Sequence, residues 1–68
     1  MQVRLNGEAV SLPQALTVEK LLFHLKVDPT QVGIAVAINR RIIPRAEWST
    51  TLLAEGDQVE LVYARQGG

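Results

Sequence analysis

A single stretch of the chain carries helical spacing. Val18, Leu21, Leu22 and Leu25 fall at i, i+3, i+4 and i+7, which places four apolar side chains on one face of a short helix. Thr17 precedes them as an N-cap, and Leu16 with Leu21 has the spacing of a hydrophobic staple. The spacing predicts a helix running to Lys26 and stopping before Asp28-Pro29, with Glu19, Lys20 and Lys26 on its wet side. With no second helix to cover the apolar stripe, a sheet has to cover it. The chain has 68 residues and no cysteine, so neither a disulfide nor a thiolate metal site can substitute for that packing. The remaining segments read as strands. Val3 and Leu5 alternate with Arg4 and Asn6, Asn6-Gly7 is a hairpin dipeptide, and Val10 and Leu12 resume the alternation until Pro13. Gly33 to Ile38 is apolar on both parities, with Ile34, Val36 and Ile38 on one face and Ala35 and Ala37 on the other. Asn39-Arg40-Arg41 reads as a turn, Ile42-Ile43 as a brief pairing ended by Pro44, and Arg45 to Leu53 as an irregular connection pinned by Trp48 and by Leu52 or Leu53. Glu55-Gly56-Asp57 is a turn, and Gln58 to Ala64 is a last strand in which Val59, Leu61 and Tyr63 alternate against Glu60. The sum is an α+β fold, a mixed four- to five-stranded sheet with one helix laid across one face. Residues 1–64 form the domain, and residues 65–68 project as a tail without an apolar anchor.

Composition excludes several function classes. Seven Lys and Arg balance seven Asp and Glu, which removes the basic excess that phosphate backbones attract, so no nucleic acid is expected. No apolar run approaches the ~20 residues of a membrane span and the first residues do not resemble a signal peptide; the expectation is a soluble, cytoplasmic protein with no membrane partner. His24 is the only histidine, flanked by Phe23 and Leu25, and reads as a solvent-edge residue; no metal site is expected. Glu55 and Asp57 read as solvated turn residues rather than a general acid and base, and Arg40-Arg41 as a turn that happens to be basic. No catalytic side chain is assigned, and the expectation is that the chain is not an enzyme.

The unusual group is the terminus. Two final glycines arise by chance roughly once in two hundred chains, and a frayed end or an expression remnant would account for them equally. Physically, Gly67-Gly68 can enter a slot too narrow for any residue with a Cβ. A carboxylate is a poor electrophile, whereas an acyl-adenylate has AMP as a leaving group. Activation by ATP would therefore make Gly68 a carrier.

Ala35-Val36-Ala37-Ile38-Asn39, Ile43-Pro44-Arg45 with Trp48 three positions on, Glu55-Gly56-Asp57-Gln58-Val59-Glu60 and the final Gly67-Gly68 stand in that order over nearly the whole chain. In these runs the sequence resembles the ThiS-type sulfur carriers of thiazole and thiamine biosynthesis, a ubiquitin-like family. The resemblance implies a β-grasp fold. It also implies that Gly68 is adenylated by an E1-like adenylyltransferase using ATP, receives sulfur through a cysteine desulfurase or sulfurtransferase route as a thiocarboxylate, and is consumed by a thiazole synthase. No cofactor is then bound by the chain itself. The small subunits of molybdopterin synthase are the nearest relatives in mechanism; they generally run longer and lack the Asn39 to Trp48 pattern. Two further readings of such a fold are a protein modifier that ends as an isopeptide on lysines and an interaction module with an idle tail.

Parity also nominates a docking surface. Ala35 and Ala37 lie opposite the helix, as do Val62 and Ala64 in the last strand, and if these strands are neighbours they form a shallow apolar patch near the tail with Arg65 at its rim. Trp48, the only tryptophan, is expected to tie the irregular connection to the core.

Overall fold

In the computed structural model, which describes residues 1–63, the first strand β1 (Gln2–Leu5) turns at Asn6-Gly7 and returns as β2 (Glu8–Ser11). Asn6 and Gly7 have φ of 49° and 88°, the two left-handed positions a two-residue primed turn requires and the reason an Asn-Gly pair suits it. The helix α1 (Val18–His24) follows, then β3 (Ile34–Ile38), the two-residue β4 (Arg41–Ile42), a single 3-10 turn at Arg45–Glu47, and β5 (Gln58–Tyr63). The five strands form one sheet in the order β2-β1-β5-β3-β4. β1 and β5 run parallel at its centre, and every other pairing is antiparallel. The sheet is therefore mixed and five-stranded, and β3 and β5 are neighbours.

Helix packing follows the sequence spacing. Val18, Leu21 and Leu22 are buried, Leu25 is partly so, and they meet Val3, Ile34, Val36, Val59 and Leu61 of the sheet in one core. The Thr17 side chain accepts from Lys20 N–H at 3.2 Å, the N-cap bond, and Leu16 is buried with Leu21. The helix ends earlier than its spacing predicts, at His24 rather than Lys26. Lys26 takes the left-handed conformation (φ 63°), its N–H donates to the Phe23 carbonyl, and Val27 N–H donates to the Leu22 carbonyl at 2.8 Å. That is a Schellman ending with lysine where glycine is usual, so the stop carries no glycine signal. His24 is exposed, as its position suggested.

Two further boundaries differ. Asn39 and Arg40 both have positive φ, so the turn after β3 takes only two residues and Arg41 already pairs with Ile38. β4 is thus Arg41–Ile42, one residue earlier than Ile42-Ile43, although Ile43 N–H still donates to the Val36 carbonyl at 2.8 Å and its side chain is buried. Tyr63 shares the parity of Val59 and Leu61 but is 49% exposed, at the last described rung of the sheet. In the connection after Pro44, Trp48 is 3% exposed and donates its indole N–H to the Ile43 carbonyl at 2.9 Å, which ties this segment to the core. Leu53, not Leu52, is the second anchor there. The end of the last strand at Ala64 and the projecting tail 65–68 lie outside the described residues.

Candidate functional site

The outer face of the sheet, opposite α1, is divided. Ala35 pairs with Val62, and Ala37 stands between Glu60 of β5 and Ile42 of β4. Val62 is 57% and Ile42 72% exposed, and with Ala35 and Ala37 they line a shallow groove of about 280 Å³ rimmed by Arg40 and Glu60. The structure thus brings together Ala35, Ala37 and Val62, as parity and strand adjacency required. Ile42 is the member that sequence reading missed. Its signal was the turn length: with two residues in the turn, Ile42 falls opposite Ala37 and on the same face. The other half of the face is polar, where Arg4, Asn6, Arg40, Gln58 and Glu60 line a second shallow depression. Ala64, Arg65, Gly67 and Gly68 lie outside the described residues.

Small residues make this groove because the sheet already has a crowded face. Val36, Val59 and Leu61 fill the helix side, and alanines on the other side leave the main chain of β3 thinly covered. Side-chain hydrogen bonds fasten the base of β5. Asn39 Oδ1 accepts from Gln58 N–H at 3.0 Å, Asn39 Nδ2 donates to Asp57 Oδ1 at 3.1 Å, and Asp57 Oδ2 accepts from Ala54 N–H at 2.8 Å. Glu55 Oε1 accepts from Gln2 N–H at 3.1 Å. The two turn carboxylates therefore serve main-chain amides. Arg45 lies over the Trp48 ring at 4.4 Å and donates to the Pro29 and Gln31 carbonyls, fastening the loop before β3. Asp28 in that loop accepts from the Thr30 hydroxyl at 2.7 Å and from Thr30 N–H at 2.9 Å; these bonds, the hydroxyl first, and then the Arg45 charge hold its carboxyl below its ordinary value.

Among the described residues no three His, Cys, Asp or Glu side chains gather where a metal could sit, and no helix is long and apolar enough to cross a membrane.

The sequence profile of the ThiS family matches residues 3–68. The chain belongs to the ThiS family. A curated relative from Escherichia coli strain K12, the sulfur carrier protein ThiS, is 38% identical over 68 residues, covering all of both chains. Two thiazole synthases, from Paramagnetospirillum magneticum and Magnetococcus marinus, are each 35% identical to the whole of this chain, which corresponds to 20% of each synthase. A crystal structure of the thiamine biosynthesis protein ThiS from Geobacter metallireducens superposes with a TM-score of 0.83 at 31% identity, with both chains fully covered. The fold of this ThiS-family chain is accordingly the β-grasp, five strands embracing one helix. The runs that carry the resemblance are now seen at work: Asn39, Trp48 and the Glu55 to Asp57 turn build the fold, each through hydrogen bonds to main chain.

Proposed function

We propose that this chain is a sulfur carrier of thiamine biosynthesis that works through the carboxylate of Gly68. An E1-like adenylyltransferase joins that carboxylate to ATP: a carboxylate oxygen attacks the α-phosphorus and pyrophosphate leaves. Sulfur delivered through a cysteine desulfurase or sulfurtransferase route then takes the place of AMP, and the resulting thiocarboxylate supplies sulfur to a thiazole synthase. The chain contributes the main-chain terminus and a platform, and the chemistry is done by its partners. The observation that carries the reading is a family match that extends through Gly67-Gly68. It is supported by a relative of equal extent that is named a sulfur carrier. The two thiazole synthases that contain a segment similar to the whole chain favour the thiazole route over the molybdopterin one, because a carrier-like segment and a synthase there share one polypeptide.

The groove formed by Ala35, Ala37, Ile42 and Val62 is the docking surface this reading offers to the adenylyltransferase and the synthase, with Arg65, between that strand and the glycines in sequence, as a further recognition residue. A chain of zero formal net charge has little long-range steering to draw on, so apolar contact carries the association.

Intact mass of the protein purified from its native cell tests the reading. One oxygen replaced by sulfur is the expected result. A ladder of conjugates would make the chain a modifier, and unmodified protein from cells actively making thiamine would sink the carrier mechanism.

A further inference from the structure

The parallel ladder between β1 and β5 ought to end where β1 ends, because the chain turns away at Asn6-Gly7. With Arg4 in register with Gln58, a regular parallel ladder has the N–H groups of residues 4 and 6 donating to the carbonyls of residues 57 and 59. Both bonds are present at 2.9 Å. In the next rung Leu61 N–H would seek the carbonyl of residue 6, and the Leu61 carbonyl the N–H of residue 8. Neither main-chain group supplies them. Instead Leu61 N–H donates to Asn6 Oδ1 at 2.9 Å, and Asn6 Nδ2 donates to the Leu61 carbonyl at 3.2 Å. A carboxamide has the donor and acceptor of a peptide group, and this one occupies the place of the missing peptide. Asn6 carries the ladder one rung past the end of its own strand.

The following rung belongs to Tyr63. Asn39 N–H donates to the Gln58 carbonyl, and the register continues through Ala37 with Glu60 and Ala35 with Val62, so the even-numbered residues of β5 turn their main-chain groups to β3. The odd-numbered residues turn theirs to the β1 side. Tyr63 therefore directs its N–H and C=O past the Asn6 carboxamide, where no strand of the described residues lies alongside. An open rung continuous with a made ladder is a template for another extended segment. Chain length limits what can reach it. On the carrier reading, in which Gly68 bears the reacting carboxylate, residues 64–68 separate it from Tyr63, and five residues span at most about 18 Å when fully extended. Any enzyme that reacts at Gly68 has to bring its surface within about that distance of this edge.

We propose that an extended segment of the enzyme that activates Gly68 adds to the β1-side edge of β5 at Tyr63, main chain to main chain, one rung beyond the Asn6 carboxamide. Asn6 closes the Leu61 rung, so the added segment cannot slide toward the sheet and its register is set. The proposal rests on the carrier reading and names how the carrier is held while its terminus reacts.

Two variants separate the main-chain contact from the ring. Tyr63→Pro removes the N–H on the open edge without touching the bonds between Val62 and Ala35, whereas Tyr63→Ala removes only the side chain. With the adenylyltransferase of the same organism as the probe, calorimetry should find the proline variant binding about tenfold more weakly than the alanine variant, the scale of one hydrogen bond. In the unaltered chain the Tyr63 amide should exchange with solvent at least about tenfold more slowly in the complex than free. Equal affinities of two folded variants, or a Tyr63 amide unprotected in the complex, would overturn the proposal. If the proline variant fails to fold, the exchange measurement decides alone. A chain that supports no ATP-pyrophosphate exchange at all sinks the carrier reading and this proposal with it; one adenylated normally with an unprotected Tyr63 amide sinks this proposal only.

Discussion

At its first residues β5 lies between β1 and β3, and Asn39, Asp57 and Ala54 knit the strand to the turns on either side with three hydrogen bonds between 2.8 and 3.1 Å. Toward its other end the same strand has β3 on one edge, the Asn6 carboxamide closing the Leu61 rung on the other, and a half-exposed Val62 and Tyr63. One end is fastened and the other is presented. The difference separates two jobs that a small domain must not mix: a strand that pairs with a partner needs unfilled hydrogen-bonding positions, and such positions are tolerable only if the strand is anchored elsewhere. Here the anchor includes Asn39 and Asp57, two of the residues on which the family resemblance was read, and the presented end is where the chain continues toward Gly68.

The sharpest break of this contrast is at the terminus. Deleting Gly68, or replacing Gly67 with valine, should abolish ATP-pyrophosphate exchange with the adenylyltransferase while the circular dichroism spectrum and melting temperature stay as they are. A Gly68-deleted chain that still supported exchange would remove the terminus from the mechanism. Next in size is the core beneath both ends. Leu22→Ala, at a fully buried position, should cost about 2–5 kcal/mol in denaturant unfolding, a large share of what a domain this small has, whereas Leu25→Ala at a half-buried position should cost less. Equal costs would mean that the helix face is assigned incorrectly.

At the fastened end, Asn39→Ala removes two hydrogen bonds and puts alanine at φ 51°, which should destabilise by about 1–2 kcal/mol. Adenylation rate per folded molecule should not change, and a variant of native stability with slowed adenylation would reverse the division of labour between the two ends. At the presented end the opposite pattern is expected. Val62→Glu or Ala37→Glu should weaken partner binding several-fold, about 1 kcal/mol by calorimetry, with little change in melting temperature. The smallest effect is acid sensitivity of the loop before β3. Because the folded-state value for Asp28 lies below its ordinary 3.8, its stabilising contribution is present above that value and fades as pH falls through the lower one. Thr30→Ala should therefore lower stability slightly at neutral pH, with the difference from the unaltered chain vanishing in acid, so that the fall below about pH 4 is flatter. A large loss at neutral pH would assign Thr30 some other role.

Much of the fold was legible. The hairpin at Asn6-Gly7 and the helix behind Thr17 rest on contacts only a few residues apart, so their signals lie side by side in the chain. The helix stop ahead of Lys26 and the two-residue length of the turn at Asn39-Arg40 were not, because Lys26 and Arg40 take left-handed conformations without a glycine to announce them. Of the candidate site, Ala35, Ala37 and Val62 were found from alternation, and Ile42 was lost with the one-residue error in β4, since register alone assigns its face. Asn6 was read only as a turn residue. Its second task joins residues 55 positions apart and has no local trace.

What the sequence determined by itself is what has a short period or a short reach: which side of each strand is apolar, where one helix stands, and a glycine pair that can pass where a Cβ cannot. The tertiary structure decided adjacency. That β1 and β5 lie side by side in parallel, that β3 covers only one edge of β5, and that a carboxamide from the first hairpin extends the β1–β5 ladder by one rung all depend on pairings that close long loops. Such pairings are chosen by the packing of the whole core, because a strand's own pattern fixes its faces and leaves its neighbours undetermined.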